Sequence, residues 1–152
     1  MSIAPPSKGE LERIAGDVRR FLESVWPEWH RLRERPLPDP LSLGTCQTSS
    51  LFLATALREH GFEARVEQGN DPAQDEGFFH DGVWHGHAWV ACGGWIVDVS
   101  ADQFGCPPVS FAPLDDPRYG RGTDTAYESA KRQRATLVAS ALESWTRWRS
   151  SP

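Results

Sequence analysis

Apolar residues recur at three- and four-residue spacing through Leu11, Ile14, Val18, Phe21, Leu22 and Val25, which predicts an amphipathic helix over residues 8–34. Pro27 is expected to kink or end it, because an interior proline forfeits a backbone hydrogen bond; Trp26, Trp29 and Leu32 carry apolar contacts beyond it. The run Pro36-Leu37-Pro38-Asp39-Pro40 reads as a rigid, extended connector. A second helix follows with a different character. From Leu51 to Leu57 almost every face is apolar, so this helix is predicted to be buried all round. Thr45 is its expected N-cap and Gly61 the glycine just past its end, so the helix begins near Cys46 and stops at His60.

The period then changes from helical to two. Phe62, Ala64 and Val66 alternate with Glu63, Arg65 and Glu67, as in a half-buried strand. Residues 69–82 read as a polar, glycine-containing loop. Two apolar runs, 83–92 and 95–100, flank Gly93-Gly94 and predict a hairpin, because both glycines tolerate the positive φ of a tight turn. Val109 to Leu114 adds a further strand in a stretch, 107–124, otherwise rich in Pro, Gly and Asp. A terminal helix over 125–148 carries Leu137, Val138, Ala141, Leu142, Trp145 and Trp148. Strands clustered mid-chain with helices at both ends predict an α+β class. A single domain over 1–152 is expected, its core at 41–114, with no internal repeat.

Composition narrows the function classes. Hydrophobic residues at 39% match ordinary globular usage, and seven Trp place several in a core and one or two along a cleft. A net charge of −5 argues against a nucleic-acid partner and hints at a neutral or basic one. The exception is the C-terminal segment with Lys131, Arg132, Arg134, Arg147 and Arg149, read as a solvated helix face. Cys46, Cys92 and Cys106 suit neither a zinc ribbon nor a redox pair, which favours reduced thiols and a cytoplasmic setting. The N-terminus lacks the apolar run of a signal peptide, leaving only a non-classical export route, and no stretch reaches the ~18 apolar residues of a membrane span.

Three residues form a chemical constellation. Cys46 at a helix N-terminus meets free N–H groups that favour negative charge, and the same groups suit the oxyanion of a tetrahedral intermediate. Gly44 allows a sharp approach to that turn. If Gly93-Gly94 form a two-residue turn, Cys92 faces Trp95 and Trp89 faces Asp98. His87 then lies on the same face, diagonal to Asp98, within reach across one strand pair. A shift of register by one residue would send Asp98 to the opposite face.

Gly-Thr-Cys46 opening a buried helix, then Gly86-His87-Ala-Trp89-Val, then Gly94-Trp-Ile-Val-Asp98-Val resembles the Cys–His–Asp core of transglutaminase-like and papain-like cysteine peptidases. It is also similar to arylamine N-acetyltransferases and glutamine deamidases. The resemblance covers about residues 41–105 and implies a nucleophile helix packed on a small antiparallel sheet. It further implies acyl transfer through a thioester, with Cys46 as nucleophile, His87 as base and Asp98 orienting the base. Hydrolysis of a peptide, protein or small amide is preferred to transfer onto an amine, and no cofactor is implied. Gln47 is a candidate extra oxyanion donor, Asp102 and Gln103 candidate cleft residues, and Trp84 and Trp89 candidate shields against water.

Two other readings stay open. His80, His85, His87 and Asp98 are metal-ligand types, and His85 and His87 would share a strand face, so a zinc-dependent hydrolase is an alternative. The spacing is similar to that of JAMM-type metalloproteases, but Trp95 stands where that family has Ser and Ala88 where it has Pro. The third reading is a catalytically inactive papain-like binding module. Cys92 and Cys106 are expected to be structural.

Overall fold

Ser7 opens the first helix, α1 (Lys8–Leu32), by accepting the Glu10 backbone N–H at 3.2 Å. The computed structural model describes residues 7–122 and 125–150, except for the side chains of 125–133 and 150. The predicted stripe of α1 is buried, from Leu11 through Phe21 and Leu22 to Trp26. Pro27 does not end the helix, which continues to Leu32. Contacts on its inner face outweigh the lost bond: Trp26 and Trp29 are buried on either side of the proline, and so is His30.

Helix α2 (Cys46–Glu59) is the centre of the fold, with Leu51, Phe52, Leu53, Ala54, Ala56 and Leu57 all buried. Gly61 takes φ 87°, and the Gly61 and Phe62 N–H groups close the helix on the carbonyls of Arg58 and Leu57. Helix α3 (Thr125–Ser150) completes this layer, burying Val138, Ala141 and Trp145. The Trp145 ring lies edge-on to Phe21 at 5.4 Å and to Phe52 at 5.9 Å. Of the predicted basic cluster, Lys131 and Arg132 fall outside the described side chains, and Arg147 and Arg149 are exposed.

Among the described residues the strands form two antiparallel sheets, which with three α-helices make the protein α+β. In the larger, β1 (Ala64–Gly69), β4 (His87–Cys92), β5 (Trp95–Asp98) and β6 (Ser110–Pro113) lie in the order β1-β4-β5-β6. The turn between β4 and β5 is the predicted one, with Gly93 and Gly94 at φ 58° and 84°, and Cys92 opposite Trp95. Alternation then divides the sheet. Val90, Cys92 and Val97 join the helical core, while Trp89, Ile96 and Ala112 face the other way and pack against Tyr119.

The second sheet lay outside the sequence expectation. It consists of β2 (Gly77–His80), β3 (Val83–His85) and β7 (Tyr119–Gly120), in the order β3-β2-β7. Residues expected as a polar loop thus supply β2, and the run 83–92 breaks at Gly86 into strands of two different sheets. Glycines allow the close approach of this sheet to the end of β1. A Cβ on Gly69 would stand 2.2 Å from the Gly120 carbonyl oxygen, and one on Gly77 would stand 1.9 Å from that of His85. Among the described residues no helix is long and apolar enough to cross a membrane.

Candidate active site

Cys46 is delivered by a braced loop. Ser42 Oγ donates to Asp102 Oδ1 at 2.6 Å, and Thr45 Oγ1 donates to the Ser42 carbonyl at 2.7 Å. Ser49 Oγ donates to Thr45 Oγ1, and Trp26 Nε1 donates to Ser49 Oγ, so the chain of bonds reaches α1. From the other side Arg35 donates to His30 Nδ1 and to the Gly44 carbonyl. His30 Nε2 is then the protonated nitrogen, donating to the Leu41 carbonyl at 2.8 Å. Thr45 stands at the expected N-cap position, without the side-chain bond of a cap. Its hydroxyl is spent within the loop and makes no capping bond, so it leaves the first N–H groups of α2 without a side-chain cap.

His87 opens β4 and Asp98 closes β5, on the face they were expected to share. Nε2 of His87 meets Asp98 Oδ2 at 2.6 Å, with both side chains fully buried. The carboxylate has further partners. Ser100 donates its backbone N–H to Oδ1 at 3.0 Å, and the Tyr119 hydroxyl donates to Oδ2 at 3.0 Å. Burial alone would push the Asp98 pKa up. The His87 charge and hydrogen bond, with Ser100 and Tyr119, reverse this and hold it below the usual carboxylate value. For His87 burial opposes the charged ring. The Asp98 carboxylate and then Cys46 outweigh it, raising the imidazole to about 10. The Tyr119 phenol is pushed above its ordinary range by burial and by Asp98, so it stays a donor.

Nδ1 of His87 is buried and has no partner at hydrogen-bond distance. Cys46 is nevertheless near enough to the ring to help raise the imidazole pKa, so thiol and ring are adjacent. Cys46 is half-buried, whereas Cys92 is buried and its thiol is pushed up to about 11 by that burial. Burial also raises Cys106. The structure therefore brings Cys46, His87 and Asp98 to one place, in the order thiol, ring, carboxylate. Comparison with family models, curated proteins and solved structures finds no match. The site stands on its geometry.

The remaining predicted residues divide. Gln47 sits in the first turn of α2, but its Nε2 is committed to Gln68 Oε1 at 3.0 Å. Trp89 is buried under the site, its ring stacked at 6.1 Å from His87, rather than walling an open cleft. Trp84 lies half-buried in the second sheet against Phe79 at 5.2 Å. Asp102 is engaged in bonds of its own. It is held between Arg19, 2.9 Å away, and Ser42, tying α1 to the loop before Cys46. Gln103 turns its amide N–H back onto the Ser100 carbonyl.

Two aromatic residues that the sequence did not single out complete the surroundings. Phe104 sets its ring edge-on to His87 at 5.1 Å and stacks on Phe78 at 4.7 Å, and Phe78 lies edge-on to Tyr119. The zinc arrangement would need His85, His87 and Asp98 to converge. His85 instead ends β3 in the second sheet, where its ring lies against Phe104, and Nε2 of His87 is engaged by Asp98. No three His, Cys, Asp or Glu side chains converge as a metal cluster among the described residues.

Proposed function

We propose that the protein is a cysteine-dependent acyl-transfer enzyme, acting as an amide hydrolase, and that α2 with the four-stranded sheet is a papain-like, transglutaminase-like core. The observation that carries this reading is the buried His87–Asp98 pair at 2.6 Å, its Nδ1 without a partner, with Cys46 near the ring at a helix start that no side chain caps. An imidazolium held by Asp98 is the counter-ion a thiolate needs. The Nε2 bond to Asp98 fixes the ring and leaves Nδ1 as the only nitrogen that can exchange a proton with sulfur or substrate.

Cys46 sulfur attacks an amide carbonyl, its proton having passed to Nδ1 of His87. A C–S bond forms and the carbonyl electron pair moves to oxygen. On collapse the C–N bond breaks, and the leaving amine takes the proton from His87, which leaves a thioester. Water then gives a proton to Nδ1 and attacks the thioester. The acid departs, and sulfur leaves with its electron pair beside a reprotonated His87. Asp98 stays ionised throughout, because its environment lowers its pKa.

Thiol labelling and a model ester test this together. Iodoacetamide should modify Cys46 well ahead of Cys92 and Cys106, and Cys46→Ala should abolish p-nitrophenyl acetate turnover while chelators leave it unchanged. Stoichiometric zinc with turnover retained in Cys46→Ala would sink the proposal. Slow, indiscriminate labelling with no turnover would point to an inactive binding module.

A further inference from the structure

A buried amide donor with no partner stands where the nucleophile helix meets the base strand. Gln68 in β1 is only 6% exposed. Its Oε1 accepts the Gln47 amide and its backbone carbonyl accepts the Gly122 N–H, yet Nε2 has no hydrogen-bond partner. Buried donors are nearly always paired, and one left open costs stability unless a ligand completes it. Chain neighbours connect it to the reacting groups. Gln47 follows Cys46 in α2, and Gly69, the next residue in β1, pairs with His87. By alternation Gln68 shares the sheet face of Ala64 and Val66, the face that packs on the helical core. The start of α2 supplies a second set of open donors, since Thr45 makes no capping bond.

We propose that Gln68 is an oxyanion donor. When Cys46 sulfur bonds to a substrate carbonyl carbon and the π pair moves to oxygen, Gln68 Nε2–H and the first N–H groups of α2 hold that oxygen. Gln47 acts as a positioning residue, fixing the Gln68 amide through Oε1. The inference rests on the thiol reading above and adds where the carbonyl oxygen lies, between the start of α2 and the end of β1. The donor role expected of Gln47 passes to its neighbour.

Two reactions of the same sulfur separate this role from a structural one. Alkylation by iodoacetamide displaces iodide from a saturated carbon and forms no oxyanion; acylation by p-nitrophenyl acetate passes through one and then expels p-nitrophenolate. Gln68→Met should slow acylation by about 10-fold or more and leave alkylation of Cys46 within about twofold, since losing one oxyanion donor typically costs more than that in rate. Gln68→Glu keeps the acceptor for Gln47 but carries no N–H, and should show the same split. Gln47→Leu should show a smaller one. Circular dichroism identifies variants that fold, and if Gln68→Met does not, the other two decide. Acylation at the wild-type rate in a folded Gln68 variant overturns the proposal, as does equal slowing of both reactions. Failure of the thiol reading is distinct: wild-type Cys46 would then show no labelling preference over Cys92 and Cys106.

Discussion

Tyr119→Phe removes one oxygen atom from the surroundings of Asp98 and nothing else. The hydroxyl donates to Oδ2 at 3.0 Å, while the ring packs edge-on against Phe78 and Trp89, both at 5.0 Å. Phenylalanine keeps those ring contacts and leaves no cavity of a size that matters. Asp98 keeps His87 on Oδ2 and the Ser100 N–H on Oδ1, so the carboxylate remains ionised with fewer donors. A hydrogen bond to a charged group contributes about 1.5–3 kcal/mol, and the lower end applies because Asp98 retains partners and Tyr119 is only half-buried. A loss of about 1.5 kcal/mol lowers Tm by about 3–6 °C for a domain of this size. Urea unfolding at pH 7 measures it as a lower midpoint at unchanged slope. A double-mutant cycle with Asp98→Asn should return a coupling of about 1 kcal/mol, as expected for residues in contact. A change below about 0.5 kcal/mol, the range of neutral surface substitutions, would refute the role given to the hydroxyl.

Two other outcomes follow from the same network. His87 has its pKa raised from 6.5 to about 10 by folding, so its stabilising contribution is complete below 6.5 and is lost as pH rises through about 10. Asp98 is lowered, so its contribution is present above the usual carboxylate range and is lost as pH falls through its folded value. Urea midpoints taken from pH 6 to pH 10 should therefore decline in the wild type and stay flatter in His87→Gln; parallel curves would contradict the pairing. Arg19→Met removes a buried guanidinium that donates to the Val99 and Pro108 carbonyls, each at 3.0 Å, and to Asp102 at 2.9 Å. Leaving Asp102 with Ser42 as its remaining side-chain donor should cost about 1.5–3 kcal/mol by urea unfolding, the usual worth of a hydrogen bond to a charged group, and a loss under about 0.5 kcal/mol would rule out that brace.

The parts of the fold that were legible in sequence are those set by local pattern. Apolar spacing sufficed for α1, for the all-round burial of α2 and for the position of α3, because each helix has one dominant way to hide its apolar residues. The Gly93-Gly94 turn sufficed for the register of β4 on β5, since two positive-φ residues admit few hairpin geometries. The second sheet was not legible. Its strands are short, β7 having only Tyr119 and Gly120, and they are placed by glycine contacts between segments far apart in the chain. At Pro27 the helix continues rather than ends, because Trp26, Trp29 and His30 are buried on both sides of it and a local rule about helix breaking cannot weigh that burial.

The candidate site divides along the same line. His87 and Asp98 are eleven residues apart with a two-residue turn between them, so their meeting is nearly a local event. Tyr119 reaches Asp98 from twenty-one residues downstream, out of a stretch with no periodicity, and only the Phe78–Tyr119 strand pairing puts it there. Asp102 shows the limit most sharply. An acidic residue close behind Asp98 reads as a candidate for the cleft, but its partners, Ser42 and Arg19, lie sixty and eighty-three residues away. A carboxylate's role is set by the cation or donor it meets. Asp98 and Asp102 are the same residue type four positions apart, yet one orients an imidazole and the other fastens the loop that presents the thiol. Both kinds of contact are needed for the proposed chemistry, because a thiol held out of line with its base gains nothing from a well-oriented ring.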